Sequence, residues 1–177
     1  TKRERVKFAS DNVAGACPEV LDAIIKANEG DSTPYGNDDW STNLQNKFSE
    51  IFEKEVIVYP MASGTAANAL ALSAMTPVFG SIYCHKHSHI NTDECGAPEF
   101  YTGGAKLVPI SGINGKFTPE ELSKNIGGVG IVHHTQPSVV SITQLCETGE
   151  AYQLDEIAAI SETAHKHNLK MHMDGAR

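Results

Sequence analysis

Apolar positions along the chain switch period repeatedly, from helical spacing to short unbroken runs and back. Val20, Leu21, Ile24 and Ile25 recur at helical spacing behind Pro18, which suits a first helical turn, and Gly30 stops the run, so a helix is expected over about 18–29. Trp40, Leu44, Phe48, Ile51 and Phe52 form a second helical stripe. Val56-Ile57-Val58-Tyr59 then reads as a buried strand closed by Pro60. Ser63-Gly64-Thr65 opens a helix that runs through Ala66 to Met75. Further strands are predicted at 81–84, 106–110, 139–142 and 170–174, with helices at about 118–125 and 153–167. Thr118, Pro119 and Glu121 supply an N-cap, a first-turn proline and a capping-box acid for the helix they open.

Short β-branched runs alternating with longer helical patterns predict an α/β domain, a mainly parallel sheet flanked by helices. The alternation persists to Arg177, three residues after a predicted strand end, so the domain is expected to continue past the given residues. The expected organisation is an N-terminal arm and first helix over 1–35, then the N-terminal portion of the α/β domain over 36–177.

Composition narrows the function classes. With 40% hydrophobic and 20% charged residues, the 177-residue chain can bury a real core. Its formal charge of -8 is spread along the chain, with no basic stripe beyond Lys2-Arg3-Glu4-Arg5, so nucleic acid and anionic membrane are not expected partners. No apolar stretch approaches the roughly 20 residues a membrane span needs. Cys17, Cys84, Cys95 and Cys146 are widely spaced without a C-x-x-C pair, which favours free thiols and a cytoplasmic protein.

Three segments carry candidate chemistry. Ser63-Gly64-Thr65-Ala66-Ala67-Asn68 places hydroxyls, a glycine and unpaired backbone N–H groups at a helix start, which suits a phosphate; an ordinary serine N-cap explains the same residues. Asp174 ends an apolar strand, where a carboxylate needs a cationic or hydrogen-bonded partner. Arg177 is either that partner or a bidentate fork for a substrate carboxylate. His85, His87 and His89 would share one face if their segment were extended, as a metal site requires, but Lys86 between them repels a cation. Stacking of an imidazole on a flat cofactor is the competing use, and no metal is expected.

Several pieces taken in order resemble low-specificity L-threonine aldolases: Phe8-Ala9-Ser10-Asp11-Asn12, Tyr35-Gly36 with Asp38 and Trp40, Gly64-Thr65-Ala66-Ala67-Asn68, Ser88-His89-Ile90-Asn91 with Asp93-Glu94-Cys95-Gly96-Ala97-Pro98-Glu99, Val139-Val140-Ser141-Ile142-Thr143-Gln144, and His172-Met173-Asp174-Gly175-Ala176-Arg177. The resemblance implies the large domain of a fold-type I enzyme dependent on pyridoxal 5'-phosphate (PLP), acting on a small β-hydroxy-α-amino acid such as threonine. It implies that Ser63, Gly64 and Thr65 hold the cofactor phosphate, that His89 stacks on its ring and serves as base, and that Asp174 bonds its ring nitrogen. Ser10 and Arg177 would hold the substrate carboxylate, Arg177 also lying near the cofactor, while Tyr35 reaches toward a subunit interface.

Gln144 stands where many such aldolases carry a histidine; it can position a hydroxyl or water but cannot take its proton. The lysine that binds the cofactor covalently is expected a few tens of residues beyond Arg177, and the 177 residues alone are expected to be inactive and poorly soluble. A homodimer or homotetramer is implied. The alternatives are a β-eliminating lyase or aminotransferase on the same fold, and a non-catalytic module that binds a partner chain.

Overall fold

The computed structural model describes residue 10 and residues 13–176, in two compact units, Thr1–Pro60 and Met61–Arg177. The first unit holds α1 (Pro18–Ala27) and α2 (Asp39–Ile51). Asp38 caps α2, its carboxylate accepting from the Ser41 backbone N–H at 2.8 Å. The helix expected over 18–29 and the stripe from Trp40 are thus found, although neither helix buries a residue completely.

The strand expected at Val56–Tyr59 is not formed. The segment has no regular secondary structure and pairs with no strand among the described residues. The Gln45 side chain stands in for a neighbour: its carbonyl accepts from the Val58 N–H at 3.1 Å and its amide donates to the Val58 C=O at 2.8 Å. One side chain serves one residue, so Ile57 and Tyr59 stay exposed. Periodicity reads the apolar run correctly but cannot supply a partner strand.

The second unit is a four-stranded parallel sheet in the order β2-β1-β3-β4, built from β1 (Gly80–His85), β2 (Lys106–Ile110), β3 (Gln136–Thr143) and β4 (Lys170–Asp174). Helices α3 (Gly64–Met75), α4 (His89–Thr92), α5 (Ala97–Tyr101), α6 (Pro119–Asn125) and α7 (Leu154–Lys166) complete it. Strand pleating sends successive side chains to opposite faces. Ile82, Cys84, Leu107 and Val139 therefore pack with Leu72 of α3 and Ile90 of α4, while Tyr83, Ile110, Val140 and Ile142 pack with Leu122 of α6 and Ile160 and Ala164 of α7. Each fully buried aliphatic side chain contributes about 1.5–3 kcal/mol. β1 lies between β2 and β3, so the chain reverses its direction of travel across the sheet there, and α/β sheets bind ligands at the carboxyl ends of strands beside such a reversal. No helix among the described residues is long and apolar enough to cross a membrane.

The loop after β2 is tied to the loop before α7 by one buried bond, the Phe117 N–H donating to Tyr152 Oη at 3.0 Å. Burial pushes the Tyr152 hydroxyl above its ordinary pKa, so it stays neutral. Tyr152→Phe strands the Phe117 N–H and is expected to cost about 1–2 kcal/mol, read as a lower urea midpoint with an unchanged slope.

Candidate active site

The end of β4, helix α3 and the segment that follows β1 converge on a largely buried polar cluster. α3 starts at Gly64 because Ser63 caps it: Ser63 Oγ accepts from the Ala66 N–H at 3.2 Å, as an ordinary N-cap does. Around Gly64 a side chain would meet open space, and Thr65 is half-buried. The helix start thus presents first-turn N–H groups and the positive end of its dipole. About 6 Å further along the axis, at 1.5 Å per residue, the buried Asn68 turns its amide into the cluster.

Asp174 enters from the end of β4, where its backbone C=O accepts from the Gln144 N–H at 2.7 Å. Its carboxylate is buried, with Oδ1 accepting from the Ala176 N–H at 3.2 Å and Oδ2 from Asn68 Nδ2 at 3.0 Å. Glu94, equally buried, accepts the other amide hydrogen of Asn68 on Oε1 at 2.7 Å. One side-chain amide therefore bridges two carboxylates that come from positions 80 residues apart in sequence, Glu94 and Asp174.

His89 follows because the chain leaves β1 at His85, turns, and begins α4 at His89 itself. Its Nδ1 lies 2.9 Å from Glu94 Oε1. Glu94 is aimed back at the ring by a turn in which Cys95 (φ 52°) and Gly96 (φ 74°) are both left-handed, a conformation that glycine adopts without strain. The hydrogen bond to Glu94 holds the His89 pKa above its ordinary 6.5, against the opposing effect of burial. The protonated ring consequently adds stability below the unfolded value of 6.5, and that increment is lost as pH rises through the higher folded value.

The extended three-histidine site is not formed. His85 and His87 pack ring to ring, 5.5 Å between centroids, and His89 turns away to Glu94. Donor atoms of His89, Glu94 and Asp174 do lie within 4.8 Å of one another, but Asn68 N–H groups already point at both carboxylates, and a cation there would meet those hydrogens. The other buried histidine, His172, shares a 2.9 Å hydrogen bond with Ser141, and burial lowers its pKa.

Gln144 follows β3, and its amide holds the Tyr152 backbone: Oε1 accepts from the Tyr152 N–H at 2.9 Å and Nε2 donates to the Tyr152 C=O at 3.0 Å. Ser10 belongs to the first unit, and Arg177 lies outside the described residues. Lys170 opens β4, about 13 Å of strand away from Asp174 at 3.3 Å per residue. Lys166 pairs with Glu162 on the surface of α7. Asn68 and Glu94 were not among the site residues expected from the sequence. The signals that point to them are an amide inside an alanine-rich helix and an acid five residues after a histidine.

The profile of the beta-eliminating lyase family matches residues 7–177. The chain belongs to the beta-eliminating lyase family. Among its relatives, the low specificity L-threonine aldolase of a Pseudomonas species is 43% identical over 171 residues, 97% of this chain and 49% of that protein. The protein of the same description from Pseudomonas aeruginosa is 42% identical over the same shares. Among solved structures, a threonine aldolase of Leishmania major superposes with a TM-score of 0.84 at 25% identity, covering 90% of this chain and 46% of that one. The expected α/β fold, with a parallel sheet flanked by helices, is the fold found. The chain spans about half the length of the curated relatives it matches.

Proposed function

We propose that the full-length protein is a PLP-dependent aldolase that cleaves a β-hydroxy-α-amino acid, threonine or allo-threonine, to glycine and an aldehyde. The observation that carries this reading is the buried Asp174 carboxylate at a strand end, held by Asn68 of the helix whose open N-terminus suits a phosphate. A buried carboxylate whose hydrogen-bond partners are all neutral fits a protonated ring nitrogen, and a capped helix start with open space at Gly64 fits a phosphate. The donor set therefore suits the cofactor that the family resemblance implies. Bound there, PLP would supply an electron sink for the pair released when the Cα–Cβ bond breaks.

The protein's residues would divide the remaining work. Gly64 and Thr65 would hold the phosphate by backbone and hydroxyl donors, with Ser63 fixing the helix start. Asp174 would hold the ring nitrogen protonated. His89 would stack on the ring and take the proton of the substrate hydroxyl. Ser10 and Arg177 would orient the substrate carboxylate, Arg177 through its planar fork. Gln144 would position the substrate hydroxyl or a water with the Nε2 hydrogen that Tyr152 does not take. A homodimer or homotetramer in the cytoplasm belongs to the same reading and rests on the resemblance.

Product analysis tests the proposal. Full-length protein supplied with PLP and threonine is expected to release glycine and acetaldehyde in equal amounts. Ammonia and a keto acid would instead assign it to elimination, and no product from any β-hydroxy amino acid would overturn the reading.

A further inference from the structure

The pair formed by His89 and Glu94 carries more than proximity. The Nδ1 of His89 and Oε1 of Glu94 are 2.9 Å apart, and the same oxygen takes a hydrogen from Asn68 at 2.7 Å. An ionised carboxylate only accepts, so the hydrogen between the two side chains belongs to Nδ1. The Glu94 side chain is wholly out of solvent while that of His89 is 35% exposed. The second oxygen of Glu94, Oε2, is buried and has no hydrogen-bond partner among the described residues. A hydrogen bond made to Oε1 in that dry setting is stronger than the same bond made at the surface. Asn68 locks Glu94 from α3 with one amide hydrogen and locks Asp174 with the other, so the imidazole is held in register with the carboxylate assigned above to the cofactor ring.

We infer that Glu94 is a positioning residue: it fixes His89 as the Nδ1–H tautomer and leaves Nε2 as the basic nitrogen offered to the β-hydroxyl of an amino-acid substrate. The inference rests on the aldolase reading of the site. In the cleavage, the hydroxyl proton passes to Nε2 and the O–H electron pair closes the aldehyde carbonyl. The Cα–Cβ pair leaves with the glycine half and is later protonated at Cα. The imidazolium formed meanwhile stays paired with Glu94 through Nδ1–H. The charged groups acting on the ring are all acidic, Glu94 most strongly, then Glu147 from the loop after β3 and Asp174 from β4, so each favours the protonated ring while burial opposes it.

The test uses full-length protein with 15N-labelled histidine rings, the His89 signals being those missing from His89→Asn. In the neutral ring Nδ1 is expected to carry the proton; a ring protonated on Nε2 overturns the inference. Glu94→Gln is expected to lower the titration midpoint of His89, to move the acid limb of kcat/KM to lower pH with it, and to reduce kcat/KM about tenfold or more. Glu94→Asp, which keeps a carboxylate, is expected to recover part of both. An unchanged His89 midpoint in folded Glu94→Gln also overturns the inference. If that variant does not fold, the tautomer in the unaltered protein decides. A wild-type protein that cleaves no β-hydroxy amino acid defeats the aldolase reading, whereas the ring nitrogen signals judge the Glu94–His89 pair by themselves.

Discussion

Replacing Asp174 with alanine in the full-length protein is expected to slow glycine release from threonine by about 10²–10³-fold, the scale found when one preorganised electrostatic partner is removed from a site. The expectation follows from where the carboxylate sits. It is buried, one oxygen is held by Asn68 and the other by the Ala176 N–H, so its direction is set before any ligand arrives. A fixed negative charge at that point is what a protonated ring nitrogen requires, and water in its place would be mobile and neutral. Asp174→Asn keeps the shape and removes the charge, so it is expected to fall with the alanine variant rather than with wild type. Rates are to be compared at saturating PLP, with far-ultraviolet circular dichroism confirming the fold. An unchanged rate in both variants would remove Asp174 from the cofactor site.

Gly112→Ala is expected to destabilise the protein by about 3 kcal/mol, the upper end of the usual overpacking range. A side chain at Gly112 would fall on the carbonyl oxygen of Lys116, with the Lys116 carbonyl carbon 2.8 Å and the Phe117 Cα 3.0 Å away. Every one of these neighbours is backbone and none can swing aside. The loop they form, closed by the Lys116 N–H to the Ile113 C=O at 3.0 Å, delivers Phe117 to Tyr152 in the core. Gly127→Ala is the matched control, because nothing lies within 4 Å of its added carbon, and it is expected to change stability by less than about 0.5 kcal/mol. Equal denaturation midpoints for the two variants would show that the 112–117 turn yields more easily than its packing indicates.

What the sequence revealed about the fold depended on the range of each signal. The capping box of Thr118 and Glu121 and the cap of Ser63 are local, and both are present as expected, at 3.2 Å each for the bond to the helix N–H. β2 and β4 match their expected bounds because short strand-forming runs flanked by turn residues, Gly103-Gly104 before β2 and Gly175 after β4, are local as well. Val56–Tyr59 has the same local signature, yet a strand is a property of two segments, and here only Gln45 answers it. The short helices α4 and α5 went unread because four or five residues carry no period.

The candidate site divides in the same way. Ser63, Gly64, His89 and Asp174 were legible from helix starts, strand ends and motif resemblance. Asn68 and Glu94 were not, because an amide in an alanine-rich helix and an acid five residues after a histidine take their meaning from the contacts of Asn68, which span 26 and 106 residues. The histidine cluster misled for a related reason: alternate residues share a face only in a strand, and the chain turns out of β1 directly after His85.

The placement of β1 also governs how this sheet can assemble in time. Its partners are distant: Ser81 lies opposite Lys106, and Gly80 opposite Gln136, a separation of 56 residues. No two neighbouring strands are joined by a tight hairpin, so every pairing must wait for a long loop to close, and loop closure is the slow event in such topologies. Until then β1, the one strand among the described residues with every position buried in the folded unit, has both edges bare, and it is in that interval that a newly made chain is most exposed to association with another copy of itself.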